Sequence, residues 1–152
     1  MQLLILAVGK GRSAPENSLA QNWLSRLPQA ATLIEIESKL PPGHKRTEDE
    51  SQRLLKALPD GAALAVLDPR GRDISSEAFA ALISSWQDRG YPAAAFAVGG
   101  ADGHSAAMRN RADKVISFGS ATWPHMLFRA MLAEQLYRAS AIIAGHPYHR
   151  AG

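Results

Sequence analysis

The chain contains no cysteine. Disulfides, thiolate metal sites and cysteine nucleophiles are therefore excluded. That absence fits a reducing compartment, and a cytoplasmic location is expected. Long hydrophobic runs are absent as well. The apolar stretch at residues 2–8 is too short to span a bilayer, follows no basic segment and shows no signal-cleavage pattern. It reads as a buried first strand, and no membrane partner is expected. Charge of one sign is scarce: the formal net charge is only +3. Such a modest basic balance is compatible with nucleic acid without being diagnostic of it.

What is present is ordinary for a globular protein. Hydrophobic residues make up 46% and charged residues 20% of 152 positions, enough for a single domain over 1–152 with a proper core. There is no internal repeat, low-complexity segment or linker.

Apolar runs alternate with helical patterns. Leu3 to Val8, Ala31 to Ile36, Ala62 to Leu67, Ala93 to Val98 and Lys114 to Ser117 read as strands. Pro15 opens a first helix with a stripe of Leu19, Trp23, Leu24 and Leu27. Thr47 and Glu50 have the spacing of a capping box, which predicts a second helix starting there and carrying Leu54, Leu55 and Leu58. Asp68-Pro69-Arg70-Gly71 reads as a turn. Ser75 or Ser76 caps a third helix with Phe79, Leu82, Ile83 and Trp86 on one face. Ser105 caps a short fourth helix. A last helix after Pro124 places Phe128, Leu132, Leu136, Ala139 and Ile143 on one stripe. The expected fold is α/β, a mainly parallel sheet with helices on both faces.

In such sheets ligands bind beyond the C-terminal ends of the strands. The loops after the first three strands carry seven basic residues there: Lys10, Arg12, Lys39, Lys45, Arg46, Arg70 and Arg72. They suit a polyanion, or are simply solvated. The run Gly99-Gly100-Ala101-Asp102-Gly103 allows close approach of a ligand, or forms a tight turn; it has neither the dinucleotide fingerprint nor the Walker spacing. Residues 118–124, Phe118 to Pro124, offer free backbone groups that suit an adenine, or form a plain connection before a proline-initiated helix. The tail His146-Pro147-Tyr148-His149-Arg150 groups a donor, a base and a cation, or docks to satisfy helix-end carbonyls. Pro147 rules out a helical histidine pair as a metal site, no carboxylates accompany it, and no metal is expected.

Several of these residues occur in one order: Leu6-Ala7-Val8-Gly9-Lys10, Leu67-Asp68, Gly99-Gly100 with Gly103, Pro124-His125, Leu136-Tyr137-Arg138 and His146-Pro147-Tyr148-His149-Arg150. Together they resemble, over the whole chain, the bacterial 23S rRNA (pseudouridine-N3) methyltransferase family of the SPOUT superfamily. The closing pentapeptide is the most specific piece. The resemblance implies a C-terminal trefoil knot, a homodimer with its cofactor sites at the interface, and S-adenosylmethionine as cofactor. By motif match, Leu67, Gly99, Gly100, Gly119, Ser120, Ala121, Thr122, Trp123 and Pro124 would line the cofactor site. Trp123 replaces a common leucine and would alter packing around the adenine. Ala101-Asp102 replaces a common Pro-Glu and keeps an acidic side chain. The basic segment 39–46 is shorter than is common in the family.

The implied substrate is 23S rRNA, within an assembled ribosome. The N3 of a uracil-type ring must lose a proton before or during methylation. His149 is the expected proton acceptor or relay, Arg150 the group that stabilises the anionic ring or a phosphate, and Tyr148 the group that positions the base. His125, beside the cofactor loop, is a second candidate for orienting substrate. Competing expectations are another nucleotide-dependent α/β enzyme, such as an NAD oxidoreductase, and a non-catalytic ribosome- or RNA-binding protein.

Overall fold

Among the described residues, ten elements alternate strictly: β1 (Gln2–Val8), α1 (Pro15–Ser25), β2 (Ala31–Ile36), α2 (His44–Ala57), β3 (Ala63–Asp73), α3 (Ser76–Asp88), β4 (Ala93–Val98), α4 (Ala106–Arg111), β5 (Lys114–Ser117) and α5 (His125–Ala144). The computed structural model describes residues 1–150. The strands form one sheet in the order β2-β1-β4-β3-β5, and every neighbouring pair is parallel.

The continuous apolar runs follow from burial on both faces. Side chains alternate along a strand, so Leu3, Ile5 and Ala7 of β1 pack on one side with α1, α3 and α5. Leu4, Leu6 and Val8 point the other way, toward Leu54 of α2 and Met108 of α4. Helix α5 packs between α1 and α3. Its 20 residues span about 30 Å at 1.5 Å per residue.

Three local expectations need correction. Helix α2 begins at His44, three residues before the expected capping box. Gly43, at φ +142°, adopts a conformation that suits glycine and turns the chain into the helix early. The Thr47 hydroxyl instead donates to the Gly43 carbonyl at 3.3 Å, and Glu50 is buried. Lys45 and Arg46 thus lie on the first turn of a helix, not in a loop.

Residues 68–71 do not form a turn, because β3 runs on to Asp73. Leu67 and Arg72 both face Ile116 across a bulge, which accommodates Pro69. A Cβ on Gly71 would lie 2.7 Å from the Ile116 nitrogen, so the two backbones approach through the glycine. Of the two serines expected as caps for α3, Ser75 serves, accepting from the Ala78 N–H. Leu19 and Ile143, expected on buried stripes, are 45% and 43% exposed.

Candidate active site

A parallel sheet directs all its strand C-termini to one end. There, a cavity of about 540 Å³ opens between the segments that follow β3, β4 and β5 and the start of α5. Its wall includes Leu67 and Asp68 from β3, Gly99 and Gly100 after β4, and Gly119, Ala121, Thr122, Trp123 and Pro124 after β5. His125 and Phe128 of α5 close it. Ser120 belongs to the same loop and is exposed, but it is not on the wall. The segments after β3, β4 and β5 therefore enclose one space with the start of α5.

The glycines fit this space for steric reasons. A Cβ on Gly99 would lie 3.0 Å from the Gly103 carbonyl group. One on Gly100 would lie 3.1 Å from Val8 Cγ1 and 3.2 Å from Glu50 Oε2. Gly103 takes a positive φ of 77° and donates to the Gly100 carbonyl at 3.0 Å, closing a tight loop. Helix α2 braces that loop from outside. Arg46 pairs with Asp102 at 3.0 Å, and the Ser51 hydroxyl accepts from the Ser105 N–H at 3.2 Å. In the other loop, Gly119 has φ +105°, and the Ser117 hydroxyl donates to the Gly119 carbonyl at 2.8 Å.

The cavity's electrostatics come from few groups. Among the described residues, Asp68 is the one Asp, Glu, Lys or Arg on the wall, and it is buried. It accepts from the Arg70 N–H at 2.9 Å, and Arg109 stands 3.7 Å away. His104 is also buried, with Nε2 at 3.2 Å from the Ala97 carbonyl. Burial pushes its pKa down, against the opposing pull of Asp68. The pKa of His125 is lowered too, by burial first and the nearby Arg129 guanidinium second. Both imidazoles are thereby biased toward the neutral form.

Arg129 was not anticipated from the sequence. Its side chain is fully buried. It pairs with Glu35 at 2.7 Å and donates to the carbonyls of Val8 at 3.0 Å and Gly9 at 3.1 Å. The same Glu35 carboxylate accepts from the Gly11 N–H. One guanidinium therefore ties α5 to the C-terminal ends of β1 and β2. A lone cation between Phe128 and Leu132, on the apolar side of α5, was the available signal. Asp68, His104 and Arg109 are likewise drawn together by strand order, which local pattern does not reveal.

The tail lies elsewhere in the chain. The Tyr148 hydroxyl donates to Glu134 at 2.8 Å, and its ring packs beside Trp23 and Tyr137. Burial, then the bond to Glu134, raises the Tyr148 pKa. His149 Nε2 meets Glu77 Oε1 at 2.8 Å, and Nδ1 meets Arg138 Nη1 at 3.2 Å. A guanidinium only donates, so Nδ1 accepts and Nε2 carries the proton shared with Glu77. Arg150 is exposed. Glu134 and Arg138 follow His125 by nine and thirteen positions, about 14 to 20 Å along the helix. Within one chain, Tyr148, His149 and Arg150 are thus not brought to the cavity wall, whereas His125 is. No cluster of three or more potential ligating side chains for a metal occurs among the described residues.

Comparison with known proteins matches this sequence to a family. Residues 1–149 match the family model described as "Predicted SPOUT methyltransferase". A protein of Paramagnetospirillum magneticum called ribosomal RNA large subunit methyltransferase H is 50% identical over 151 residues, covering 99% of both chains. Proteins of the same name from Rhodospirillum centenum and Rhodospirillum rubrum are 47% and 45% identical, each covering 99% of this chain and 100% of the relative. By sequence similarity over almost its whole length, the chain belongs to the SPOUT methyltransferase family.

Proposed function

We propose that the protein transfers a methyl group from S-adenosylmethionine to N3 of a pseudouridine in 23S rRNA of the large ribosomal subunit. Full-length similarity to large-subunit rRNA methyltransferases carries this reading. The cavity's chemistry agrees with it. A volume of about 540 Å³ lies in the range of small-molecule sites. Its wall is mostly apolar, with a carboxylate at Asp68 and no lysine or arginine. Such a wall suits a cationic sulfonium better than the pyrophosphate of a dinucleotide.

In this reading Leu67, Gly99, Gly100 and the loop from Gly119 to Pro124 hold the cofactor, with the adenine against the backbone of the loop. When bound, S-adenosylmethionine supplies an electrophilic methyl group. The protein's part is to align the ring nitrogen and to take its proton. His149 accepts or relays the N3 proton, Arg150 stabilises the negative charge left on the ring, and Tyr148 positions the base. Because these residues lie away from the cavity of their own chain, we assign them to the cavity of a partner protomer in a homodimer. To act there His149 must exchange its Glu77 and Arg138 contacts for substrate. His125 makes no side-chain hydrogen bond among the described residues and stands on the wall, so it is the second group available to orient substrate. The trefoil knot of the family and a cytoplasmic location beside ribosomes belong to the same reading.

Calorimetry with S-adenosylmethionine is expected to show binding by the folded protein. Labelled methyl transfer to ribosomes, followed by mapping of the nucleotide, is expected to place the label on a 23S pseudouridine. Folded protein that binds no cofactor would overturn the reading.

A further inference from the structure

A second concavity, of about 460 Å³, lies at the same end of the sheet, between β2 and α2. Four cations line it: Lys10 after β1, Lys39 after β2, and Arg53 and Lys56 of α2. Two carboxylates, Glu35 and Glu37, accompany them.

The pairing of these charges decides the groove's character. Glu35 is neutralised from the protein side by Arg129, at 2.7 Å. Arg53 is held by Asp49 at 2.9 Å, one turn away on α2. Lys10 donates only to the neutral Glu35 carbonyl, at 3.2 Å. Lys39 and Lys56 are exposed and make no ion pair among the described residues. Lys10, Lys39 and Lys56 therefore face the single carboxylate of Glu37, and the groove presents net positive charge.

The groove also adjoins the methyl-transfer site. A Cβ on Gly9 would lie 3.7 Å from His125 Nε2, so one side of the β1–α1 loop borders His125. The next residue, Lys10, lines the groove. One loop thus separates a basic trough from the cavity wall.

We propose that this groove, through Lys10, Lys39 and Lys56, grips the phosphate backbone of the rRNA that flanks the target nucleotide. The proposal rests on the reading of the chain as an rRNA methyltransferase and adds where the RNA is held. Flexible lysines act as point charges on phosphate. The remaining lining, Ile36 and Ala57, offers no side-chain polar group or aromatic ring for a base. The groove therefore positions RNA without reading sequence, and specificity stays with the cavity.

The test compares ribosome binding by the wild type, by a Lys39→Ala/Lys56→Ala double variant and by Lys114→Ala as a control. Lys114 is an exposed cation that begins β5, at the opposite end of the sheet. The double variant is expected to bind S-adenosylmethionine like the wild type. Its affinity for ribosomes should fall at least about tenfold near physiological salt, with the slope of log K against log salt shallower by about 0.7 to 0.9 per lost contact. Lys114→Ala should match the wild type. Equal affinity and slope in the double variant would overturn the proposal.

A second arm uses the cysteine-free sequence. A single Lys56→Cys substitution carrying a photo-crosslinker should attach to rRNA in ribosomes from cells that lack the methyltransferase. Attachment only to ribosomal protein, or none, would overturn the assignment to RNA. Wild-type methylation of the same ribosomes separates the two ideas. If it succeeds while both arms fail, the groove is wrong and the function stands. If no methylation occurs, the function fails and the groove with it.

Discussion

Arg129 takes a guanidinium out of water on the core side of α5, and three partners compensate it: Glu35, the Val8 carbonyl and the Gly9 carbonyl. Truncation to Arg129→Met would leave Glu35 without its cation and both carbonyls without this donor. Breaking a buried pair in this way costs about 3 to 5 kcal/mol, and urea unfolding should show a loss of that order. His104 gives a second prediction. Its folded pKa lies below the ordinary value of 6.5 because burial disfavours the charged ring. As pH falls below about 6.5, the unfolded chain takes up a proton that the folded chain refuses. Stability should therefore drop on acidification, at up to about 1.4 kcal/mol per pH unit for this group, until the folded pKa is reached. Comparing unfolding free energies from about pH 7.5 to 5.5, His104→Gln should lose less stability than the wild type. Equal slopes would show that His104 is not the responsible group.

At the scale of elements, the bulge in β3 governs how the cavity is built. Gly71 sits against the backbone of β5, and β5 leads directly into the loop of Gly119 to Pro124. A Gly71→Ala substitution forces a methyl group into backbone atoms and should cost about 1 to 3 kcal/mol, read by thermal unfolding. It should also weaken S-adenosylmethionine binding in calorimetry, because the displaced strand leads into the loop proposed to hold the adenine. This bulge marks a limit of pattern reading. Strand order needs long-range pairing, and Pro69 beside Gly71 looks like a turn until β5 is seen to pair on both sides of it. The strands β1, β3 and β4 were legible from their apolar runs, because burial on both faces leaves no polar alternation. Helix α2 was found but misplaced at its start, since Thr47 and Glu50 have cap spacing while their side chains serve burial and the glycine loop. Local pattern left the glycine run and residues 118–124 open between a ligand site and plain connections; the family resemblance singled them out. The roles of Arg129, Asp68 and His104 were not legible, because their partners are distant in sequence.

At the scale of the whole molecule, the separation between cavity and tail is the central fact. His125 lies at the start of α5, and Tyr148 packs beside Glu134 and Arg138 further along it. If each site combines one protomer's cavity with its partner's tail, two inactive variants should rescue each other. Mixing and refolding Arg150→Ala with Gly100→Val subunits at equal amounts should restore about one quarter of wild-type methylation, since half the dimers are mixed and each holds one intact site. No recovery, with mixed dimers verified by mass, would place cavity and tail of the same chain in one site. Leu19, Trp123 and Ile143 expose large apolar surface, which a partner protomer is suited to cover.

The three tryptophans occupy three different environments. Trp86 is fully buried in the core, Trp123 stands exposed on the cavity loop, and Trp23 lies against the tail through Tyr148. Emission from the chain therefore contains a constant background and two separable signals. With Trp123 removed, quenching reports whether the tail is docked; with Trp23 removed, it reports occupancy of the cavity. On the proposed function, these tryptophans are optical probes for the cofactor and substrate ends of the site, and the order in which cofactor binds and the tail leaves its contacts becomes a stopped-flow measurement without an added dye.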